Sequence, residues 1–359
     1  MTIISRPEAK PQQYDNTWMR LHRNAAPFSL GDFAHIDLDL HVFIEYPNAF
    51  ESYQLIADYL KISVEEFVIT HGSEQAIKFV FDAFVNKGDE VVYTAPSYGM
   101  YDVFTQSREA TPVVLDLDKD RNIDVSDIID AVTDKTSLVV MQNPDNISGK
   151  AYTFSEMYRL IETVDCQVMI DEAYFYQYIM GMHAASFMFV NEHTNVILTR
   201  SFSKAWGLAG ARLGLVISNP DTMKHIKSHK PAFEVNYASS VIIKKLFEKI
   251  PEYEDTDSPH RAGGYTTTPC YADKLCEANV RQVRKWKNKF ALELPKMYLE
   301  ASGNFILLRS DKYEEHKDRL TDNKIVCGMD YNHPSVKHCF RFSVGQDNEM
   351  RRVLEIFHD

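Results

Sequence analysis

Hydrophobic and polar positions follow two distinct patterns through the first two thirds of the chain. Short runs rich in β-branched residues read, in chain order, EVVYTAP, TPVVLDL, SLVVMQN, CQVMIDEAY, NVILTRS and RLGLVIS. Between several of them lie longer segments such as TFSEMYRLIETV, whose apolar residues recur with the period of a helix. Buried strands that alternate with helices are typical of a parallel sheet covered on both faces. The pattern therefore predicts an α/β fold with a mostly parallel sheet flanked by helices.

One segment upstream of these runs combines a strand, a turn and a helix. The sequence FVITHGSEQAIKFVFDAFV begins with an apolar run and continues through a Gly-Ser pair. Its later apolar residues have the i, i+3, i+4, i+7 spacing of one helix face, and they are Ile77, Val80, Phe81 and Phe84. We therefore expect a helix that starts at the Gly-Ser turn.

The pattern changes after the last of the predicted strands. The helical segment SSVIIKKLFEKI is followed by a polar stretch from Pro251 to Lys274 and by the basic helix VRQVRKWKNKFALEL. The tail, from GNFILLRS to HCFRFSVGQDNEMRRVLEIF, is typical of a smaller α+β domain. The sequence thus predicts an N-terminal arm with part of the small domain over residues 1–40, a large domain over 41–240 and a small domain over 241–359. We interpret the polar stretch as a surface loop, with a lid over the substrate as the alternative.

Composition narrows the possible partners. The chain has 359 residues, and its 39 Lys and Arg against 51 Asp and Glu give a net charge of −12. This balance disfavours nucleic acid or an anionic membrane as the main partner. No stretch approaches the ~20 apolar residues of a membrane span, and the N-terminal segment lacks the apolar core of a signal peptide, so we expect a cytoplasmic protein. The five cysteines are scattered without a CxxC pair, which predicts reduced thiols and no metal site.

Residues with reactive or ligand-binding side chains recur where the predicted strands end. Doubly wound sheets bind ligands at the carboxyl ends of their strands, and six such places hold Gly72-Ser73-Glu74, Tyr98, Asn146, Asp171 with Tyr174, Ser201 to Lys204, and Arg212. A helix-opening turn, serine hydroxyls and an arginine are the donors that a phosphate needs. A carboxylate can keep a pyridine nitrogen protonated, and a nearby lysine can form a Schiff base. This combination is the binding mode of pyridoxal phosphate.

The motif SFSKAWGLAGARLG, which starts at Ser201, carries a family resemblance. It resembles the lysine segment of fold-type I pyridoxal-phosphate enzymes of the class I and II aminotransferase family, and the chain is most similar to the histidinol-phosphate aminotransferase branch. The resemblance runs from LHRNAAPF nearly to the C-terminus and implies the aspartate-aminotransferase-like fold. It implies that Lys204 holds the cofactor as a Schiff base and that Ser201, Ser203 and Arg212 bind the cofactor phosphate.

Four further motifs follow in the family's order and imply other contacts of the cofactor. HGSEQAI resembles the phosphate-binding helix start, which implies Ser73 and Glu74, the latter through its backbone. PSYGMY resembles the segment whose tyrosine, here Tyr98, stacks on the pyridine ring. NPDNISG and IDEAYF resemble the segments that contact the ring atoms, which implies Asp171 as the partner of the ring nitrogen and Asn146 and Tyr174 as partners of O3′. With Lys204, Asp171 and Tyr174 would be the catalytic residues.

The resemblance also implies substrate contacts and a partner subunit. EYPN resembles the segment whose tyrosine, here Tyr46, reaches the phosphate of the neighbouring subunit, which implies a homodimer with shared active sites. FRFSVG resembles the carboxylate segment, so Arg341 would bind the substrate α-carboxylate. Asn24, in NAAP, lies where the family has a further carboxylate contact. We therefore expect small-molecule substrates, an amino acid and an oxo acid.

Several positions depart from the family's pattern. Ala25 and Ala26 stand where Glu and Asn are usual, and Ile147 stands where NPDNISG would have a proline. Cys327 stands where histidinol-phosphate enzymes usually have an arginine for the substrate phosphate. Because a neutral side chain cannot replace that bidentate donor, Cys327 weakens the expectation of a phosphorylated substrate.

The implied reaction is transamination, with Lys204 moving the Cα proton of the amino acid. A decarboxylase or lyase would use the same residues, and a threonine-phosphate decarboxylase-like activity is the alternative on the same fold. A non-catalytic binding protein is a third class. A nicotinamide dehydrogenase and a phosphate-loop NTPase are disfavoured because no GxGxxG follows a strand and GxxxxGK[ST] is absent. Each residue taken alone also has an ordinary structural role as a cap, a turn or a packed aromatic, and only the ordered set indicates the cofactor.

Overall fold

The computed structural model describes residues 14–15, 17–174, 185–250 and 270–358. Its strands are β1 Met19–Leu21, β2 Phe67–Thr70, β3 Glu90–Ala95, β4 Thr111–Asp116, β5 Thr136–Gln142, β6 Gln167–Asp171, β7 Val196–Ser201, β8 Gly214–Ser218, β9 Tyr298–Leu299, β10 Phe305–Arg309, β11 Ile325–Cys327 and β12 Cys339–Ser343. Seven of them form one sheet in the order β2-β8-β7-β6-β5-β3-β4. The six β-branched runs of the sequence are strands β3 to β8, which confirms that prediction.

Strand direction in this sheet is mostly uniform. Every neighbouring pair is parallel except those of β8, which runs antiparallel to both β7 and β2. The predicted mostly parallel sheet is thus confirmed, but one placement was wrong: Arg212 precedes the amino end of β8 and does not follow a carboxyl end. Because β8 is reversed, its amino end lies at the edge where its neighbours have their carboxyl ends. Arg212 therefore still reaches that edge.

Helices connect the strands, and local sequence explains where several of them start. The α-helices are Phe50–Leu60, Gly72–Phe84, Met100–Ser107, Val125–Asp130, Phe154–Thr163, Ala185–Glu192, Pro220–Lys227, Tyr237–Leu246, Tyr271–Glu293, Tyr313–Asp322 and Asp347–Phe357. Thr153 and Glu156 form a capping box at the start of Phe154–Thr163. Asn219 caps Pro220–Lys227, which begins with a proline. The helix predicted after the Gly-Ser turn starts at Gly72, as expected.

The sheet is buried on both faces, as a parallel sheet covered by helices requires. Along β5, Val139 and Met141 belong to one apolar cluster and Leu138 and Val140 to another, because successive side chains point to opposite faces. Helix Gly72–Phe84 contributes to the second cluster through Ile77, Val80 and Phe81, with Phe84 partly buried against it. The predicted helix face is therefore the buried one.

A second, smaller group of elements joins the two ends of the described chain. Strands β9, β10 and β12 form an antiparallel sheet, and β1 pairs in parallel with β11. Their apolar side chains share a core with the last two helices. The pairing of β1 with β11 brings the N-terminal residues next to the tail, as expected if both belong to one domain.

Helix Tyr271–Glu293 connects the two groups. Its first half, including Leu275 and Val280, packs in a cluster of the large sheet, whereas Trp286 and Phe290 pack in the core of the smaller group. The domain division at residues 40 and 240 stays a prediction. Of the polar stretch that we interpreted as a loop, residues 251–269 lie outside the described residues, and 271–274 are helical instead. Among the described residues, no helix is long and apolar enough to cross a bilayer.

Candidate active site

Register and strand order bring the predicted residues to one edge of the sheet. Asp171, the last residue of β6, pairs with Thr199 of β7, and Ser201, the last residue of β7, pairs with Gly214 of β8. Gly214 in turn pairs with Thr70, after which helix Gly72–Phe84 begins. Three chain segments that are far apart in sequence therefore meet within neighbouring strands.

The start of helix Gly72–Phe84 forms a tight cradle with Arg212 and Gly214. A Cβ added to Gly72 would lie 2.7 Å from Nη2 of Arg212, and one added to Gly214 would lie 2.6 Å from the backbone nitrogen of Ser73. Gly72 has φ +76°, a conformation that favours glycine. Nη2 of Arg212 donates to the carbonyl of His71 at 3.2 Å. The glycines thus let a guanidinium and the free amides of a helix start lie side by side.

Hydroxyl groups line the same end of the site. Ser201 Oγ accepts a hydrogen bond from the backbone N–H of Ser203 at 3.1 Å, and both serines are buried. Tyr98 is half-buried, and its hydroxyl donates to the Glu74 carboxylate at 2.9 Å. The Glu74 side chain therefore contacts Tyr98, a contact that the sequence did not indicate.

Asp171 is a buried carboxyl group with three hydrogen-bond donors. Tyr101 Oη donates to Oδ2 at 2.6 Å, and Thr199 Oγ1 and the Ala173 amide donate to Oδ1 at 3.2 and 3.1 Å. Burial raises the pKa of Asp171, while these donors favour its charged form and oppose the shift. No ion pair of Asp171 occurs among the described residues, so the carboxylate lacks a cation at close range.

Lys204 lies across from this carboxylate. Its Nζ donates to the carbonyl of Arg23 at 3.1 Å and lies 5.4 Å from the centre of the Tyr174 ring. Burial, followed by the positive charges of Arg341 and Arg212, lowers the pKa of Lys204 to about 8, and Asp171 opposes the shift. The amine is therefore neutral in a much larger fraction of molecules near neutral pH than an ordinary lysine is.

A short chain of contacts connects Tyr174 to the Asn146 loop. Asn24 Nδ2 donates to Tyr174 Oη at 2.9 Å and to the carbonyl of Asn146 at 3.5 Å. The Oδ1 atoms of both asparagines are buried without a hydrogen-bond partner among the described residues. A buried acceptor without a partner is costly, and both oxygens remain able to accept a hydrogen bond from a bound group.

Arg341 completes the site from the smaller group of elements. It lies in β12, and its guanidinium donates to the backbone carbonyls of Asn146 and His22. The guanidinium carbon lies 5.7 Å from the centre of the Phe305 ring and 6.0 Å from that of Tyr331. No carboxylate pairs with Arg341 among the described residues. Its charge is therefore available to an anion from outside the protein.

Tyr46 does not join this group within the subunit. Its side chain is 78% exposed, and its ring stacks on Phe233 with the centroids 4.3 Å apart. The predicted reach to the phosphate of a neighbouring subunit stays a prediction.

Two residues at the site were missed by the sequence analysis. Tyr101 and Thr199 both donate to Asp171 and are buried. Tyr101 follows Tyr98 by three residues, and the two rings lie 5.7 Å apart at the start of helix Met100–Ser107. That spacing is a signal that could have been used, whereas Thr199 required the register of two neighbouring strands.

A buried ion pair lies next to the two central strands. Arg200 Nε donates to the Glu172 carboxylate at 2.7 Å, and both side chains are almost fully buried. Each residue is the chain neighbour of a predicted site residue, Asp171 in one case and Ser201 in the other. The pair therefore connects the ends of β6 and β7 just beside the site.

Comparison with known proteins decides the family. Residues 32–357 match the family model described as aminotransferase class I and II. The chain belongs to the class I and II aminotransferase family. It is 27% identical over 317 residues to a histidinol-phosphate aminotransferase of Clostridium novyi, covering 86% of this chain and 80% of the relative. With the enzyme of the same name from Chlorobaculum tepidum the identity is 24% over 349 residues, covering 94% and 93%.

Solved structures confirm the predicted fold of this aminotransferase. Histidinol-phosphate aminotransferase of Sinorhizobium meliloti in complex with pyridoxal-5′-phosphate superposes with a TM-score of 0.76 at 20% identity, covering 94% of this chain and 89% of that one. L-threonine-O-3-phosphate decarboxylase of Porphyromonas gingivalis gives 0.71 at 16% identity, covering 94% and 98%. The predicted activity and cofactor are confirmed by the family: the protein is an aminotransferase that depends on pyridoxal 5′-phosphate.

The residues of this aminotransferase fit that cofactor. The cradle of amides, hydroxyls and a guanidinium has the donor set of a phosphate site. At the other side, the buried carboxylate of Asp171 lacks a cation, which a protonated ring nitrogen would supply. Lys204, with its lowered pKa, lies within the same group of residues.

Proposed function

We propose that the aminotransferase binds its cofactor phosphate at the cradle and the cofactor ring against Asp171. Amides at the start of helix Gly72–Phe84, with Ser73 and the Glu74 backbone, would hold the phosphate together with the side chains of Ser201, Ser203 and Arg212. The observation that carries this proposal is the buried Asp171 carboxylate, which has three donors and no described cation. The remaining ring contacts would come from Tyr98, Asn146 and Tyr174.

Lys204 would be the residue that forms the covalent bond and moves the proton. When bound, pyridoxal phosphate supplies an aldehyde for an amine and a ring that accepts electrons from the substrate Cα. The neutral amine of Lys204 accepts the Cα proton, and a pKa of about 8 lets it act as a base near neutral pH. The carboxylate of Asp171 would stabilise the positive charge of a protonated ring nitrogen. Tyr174, whose hydroxyl accepts from Asn24, lies beside the amine.

Arg341 would bind the α-carboxylate of the amino acid. Its guanidinium has two backbone carbonyls as partners and no described carboxylate, so a substrate carboxylate supplies the missing charge. Asn24 would assist through its Nδ2 group, which donates to Tyr174 and to the Asn146 carbonyl. Together these contacts fix the orientation of the substrate about Cα, which decides whether the proton or the carboxylate leaves.

We favour an L-amino acid and a 2-oxo acid as the substrate pair, because position 327 holds a cysteine and not an arginine that could bind a substrate phosphate. Cys327 is 5% exposed and packs in the apolar core of the smaller group. The relatives named histidinol-phosphate aminotransferase make that reaction the specific alternative.

A single-turnover panel tests this function. Purified enzyme loaded with pyridoxal phosphate is mixed with each of the 20 common L-amino acids and with histidinol phosphate. We expect one or more amino acids to yield the 2-oxo acid and the aminated cofactor without carbon dioxide. Release of carbon dioxide with a primary amine would show that the enzyme is a decarboxylase. Turnover of histidinol phosphate alone would show that its substrate is phosphorylated.

A homodimer is supported by an exposed apolar patch. Large apolar side chains are exposed at Leu38, Leu40, Phe43, Ile44, Tyr46, Phe50 and Phe233. Patches of this kind are typical of protein interfaces. We propose that this surface contacts a second copy and that Tyr46 reaches the partner's phosphate cradle.

In keeping with its proposed small-molecule substrates, we place the enzyme in the cytoplasm.

Mixed dimers test the shared site. A Tyr46→Phe chain combined with a Lys204→Ala chain should form hybrids in which one site has an intact lysine and an intact tyrosine from the neighbour. That site should regain tight cofactor binding. A cofactor-saturated, fully active monomer in sedimentation would contradict the shared site.

A further inference from the structure

The hydroxyl of Tyr331 is a buried polar group without a partner. Its Oη atom makes no hydrogen bond among the described residues. Burial raises the pKa of Tyr331 to about 12, so the group remains a neutral hydroxyl, able to donate, throughout the physiological range. A buried hydroxyl left unpaired is unfavourable, and a ligand that accepts its hydrogen bond would offset that cost.

Packing holds this hydroxyl in one place. The Tyr331 ring is partly buried against an apolar cluster that also receives Ile147, the residue that departs from the family's usual proline. The cluster is formed by Ala301, Phe305, Leu307, Val336 and Cys339. Because the ring is held by several strands and loops, its hydroxyl is oriented before any ligand arrives.

Gly328 gives the hydroxyl its place beside Arg341. Gly328 pairs with Arg341 through two backbone hydrogen bonds of 2.9 and 2.8 Å, so the side-chain positions of the two residues lie on one face. A Cβ added to Gly328 would lie 2.2 Å from Tyr331 Oη and 3.3 Å from Nε of Arg341. The absence of a side chain at Gly328 thus lets the Tyr331 hydroxyl lie where a Cβ would be, beside Arg341.

Nε of Arg341 is also buried and unpaired among the described residues. Two potential donors, one neutral and one charged, therefore lie near each other, and neither has a hydrogen-bond acceptor among the described residues. A carboxylate has the geometry to accept from a guanidinium and from a neighbouring hydroxyl at once.

We propose that Tyr331 is a substrate-binding residue whose hydroxyl donates to the amino-acid carboxylate held by Arg341. The inference rests on the proposed role of Arg341. It adds a second, uncharged donor that the sequence motifs do not mark. Because the contact forms to the carboxylate and not to the cofactor, it contributes to substrate affinity and leaves cofactor affinity unchanged.

The test uses the Tyr331→Phe holoenzyme, with Tyr313→Phe as its matched control. The probe is the L-amino acid that reacts fastest in the single-turnover panel, together with its decarboxylated amine. We expect Tyr331→Phe to raise KM for the amino acid about tenfold, the loss of one hydrogen bond to a charged group, with kcat nearly unchanged. Spectrally followed binding of the amine, which lacks the carboxylate, should not change.

Thermal unfolding of the ligand-free proteins separates this role from a structural one. Tyr331→Phe removes no described hydrogen bond, so its unfolding midpoint should equal or exceed that of the wild type. Tyr313→Phe removes two contacts with Asp330, of 3.1 and 2.7 Å, and should unfold at a lower temperature with an unchanged KM.

Arg341→Gln distinguishes failure of the inference from failure of the proposed function. If Arg341→Gln raises KM and Tyr331→Phe does not, Arg341 binds the carboxylate and the inference for Tyr331 is wrong. An unchanged KM in Arg341→Gln would overturn the carboxylate site and the inference with it. An equal loss of affinity for the amino acid and the amine in Tyr331→Phe would also overturn the inference, because the hydroxyl would then act without the carboxylate.

Discussion

The proposed site has a phosphate end, at the cradle, and a carboxylate end, at Arg341. At the phosphate end, the polar groups lie beside strands of the large sheet or at the start of a helix that follows one of them. The carboxylate end is assembled from residues of two cores. Ser201 ends β7, and Ser73 is the second residue of helix Gly72–Phe84. Arg341 instead lies in the smaller sheet and reaches Asn146 and His22 in other segments. The phosphate end is therefore fixed by the sheet itself, and the carboxylate end depends on how the two groups of elements pack.

The two ends also differ in how fully their polar groups are paired. Arg212 has two carbonyl acceptors and Ser201 has an amide donor. At the carboxylate end, the unpaired buried atoms include Oδ1 of Asn24, Oδ1 of Asn146, Nε of Arg341 and Oη of Tyr331. If the substrate binds at the carboxylate end as we propose, mutations at the two ends should affect different constants.

The largest effect is expected at Asp171, between the two ends. Asp171→Ala removes the carboxylate that favours a protonated ring nitrogen, and we expect turnover to fall about 10³-fold. Bound cofactor, measured by dialysis and absorbance, should remain because the phosphate cradle is intact. Near-wild-type turnover in Asp171→Ala would show that another group holds the ring nitrogen.

A smaller effect on a different constant is expected at Arg341. Arg341→Gln removes the charge that we propose binds the carboxylate, so KM for the amino acid should rise about 10- to 100-fold with cofactor affinity unchanged. Arg212→Gln is the matched variant at the other end, and it should weaken cofactor binding while KM at saturating cofactor stays the same. The comparison of the two ends fails if both variants lower cofactor affinity alike.

The smallest effect is expected at Tyr101. Its hydroxyl favours the charged form of Asp171, so Tyr101→Phe should raise the pKa of Asp171 further. As the pH falls, Asp171 would then become protonated at a higher pH than in the wild type. We expect kcat to fall about tenfold and its acidic limb to move to higher pH. A pH profile of kcat checks this, and a profile with an unshifted acidic limb would leave Tyr101 as a packing residue.

The same difference explains what could be predicted from the sequence. Ser73, Asp171 and Lys204 follow strands that the apolar pattern reveals, so a local reading of the chain is sufficient to find them. Thr199 was missed because its role depends on lying opposite Asp171 in the sheet. Tyr331 could not be found, because its position beside Arg341 depends on the bare face of Gly328 and on packing across a separate cluster.

Covalent labelling of Lys204 tests the central claim most directly. The ligand-free enzyme is mixed with pyridoxal phosphate at several pH values, reduced with borohydride, and digested for peptide mapping. Burial and the charges of Arg341 and Arg212 lower the pKa of Lys204 to about 8, so the neutral, reactive amine increases as pH rises through that value. Lys287, whose pKa burial also lowers to about 8, donates to the carbonyl of Gly303 and is the internal control.

We predict that the label is found on the peptide that contains Lys204, at a rate that rises with an apparent pKa near 8. Lys287 should stay unlabelled, and the Lys204→Ala variant should give no stable adduct. Labelling of another lysine in the wild-type enzyme, or a rate that rises only near the ordinary lysine pKa, would contradict the account.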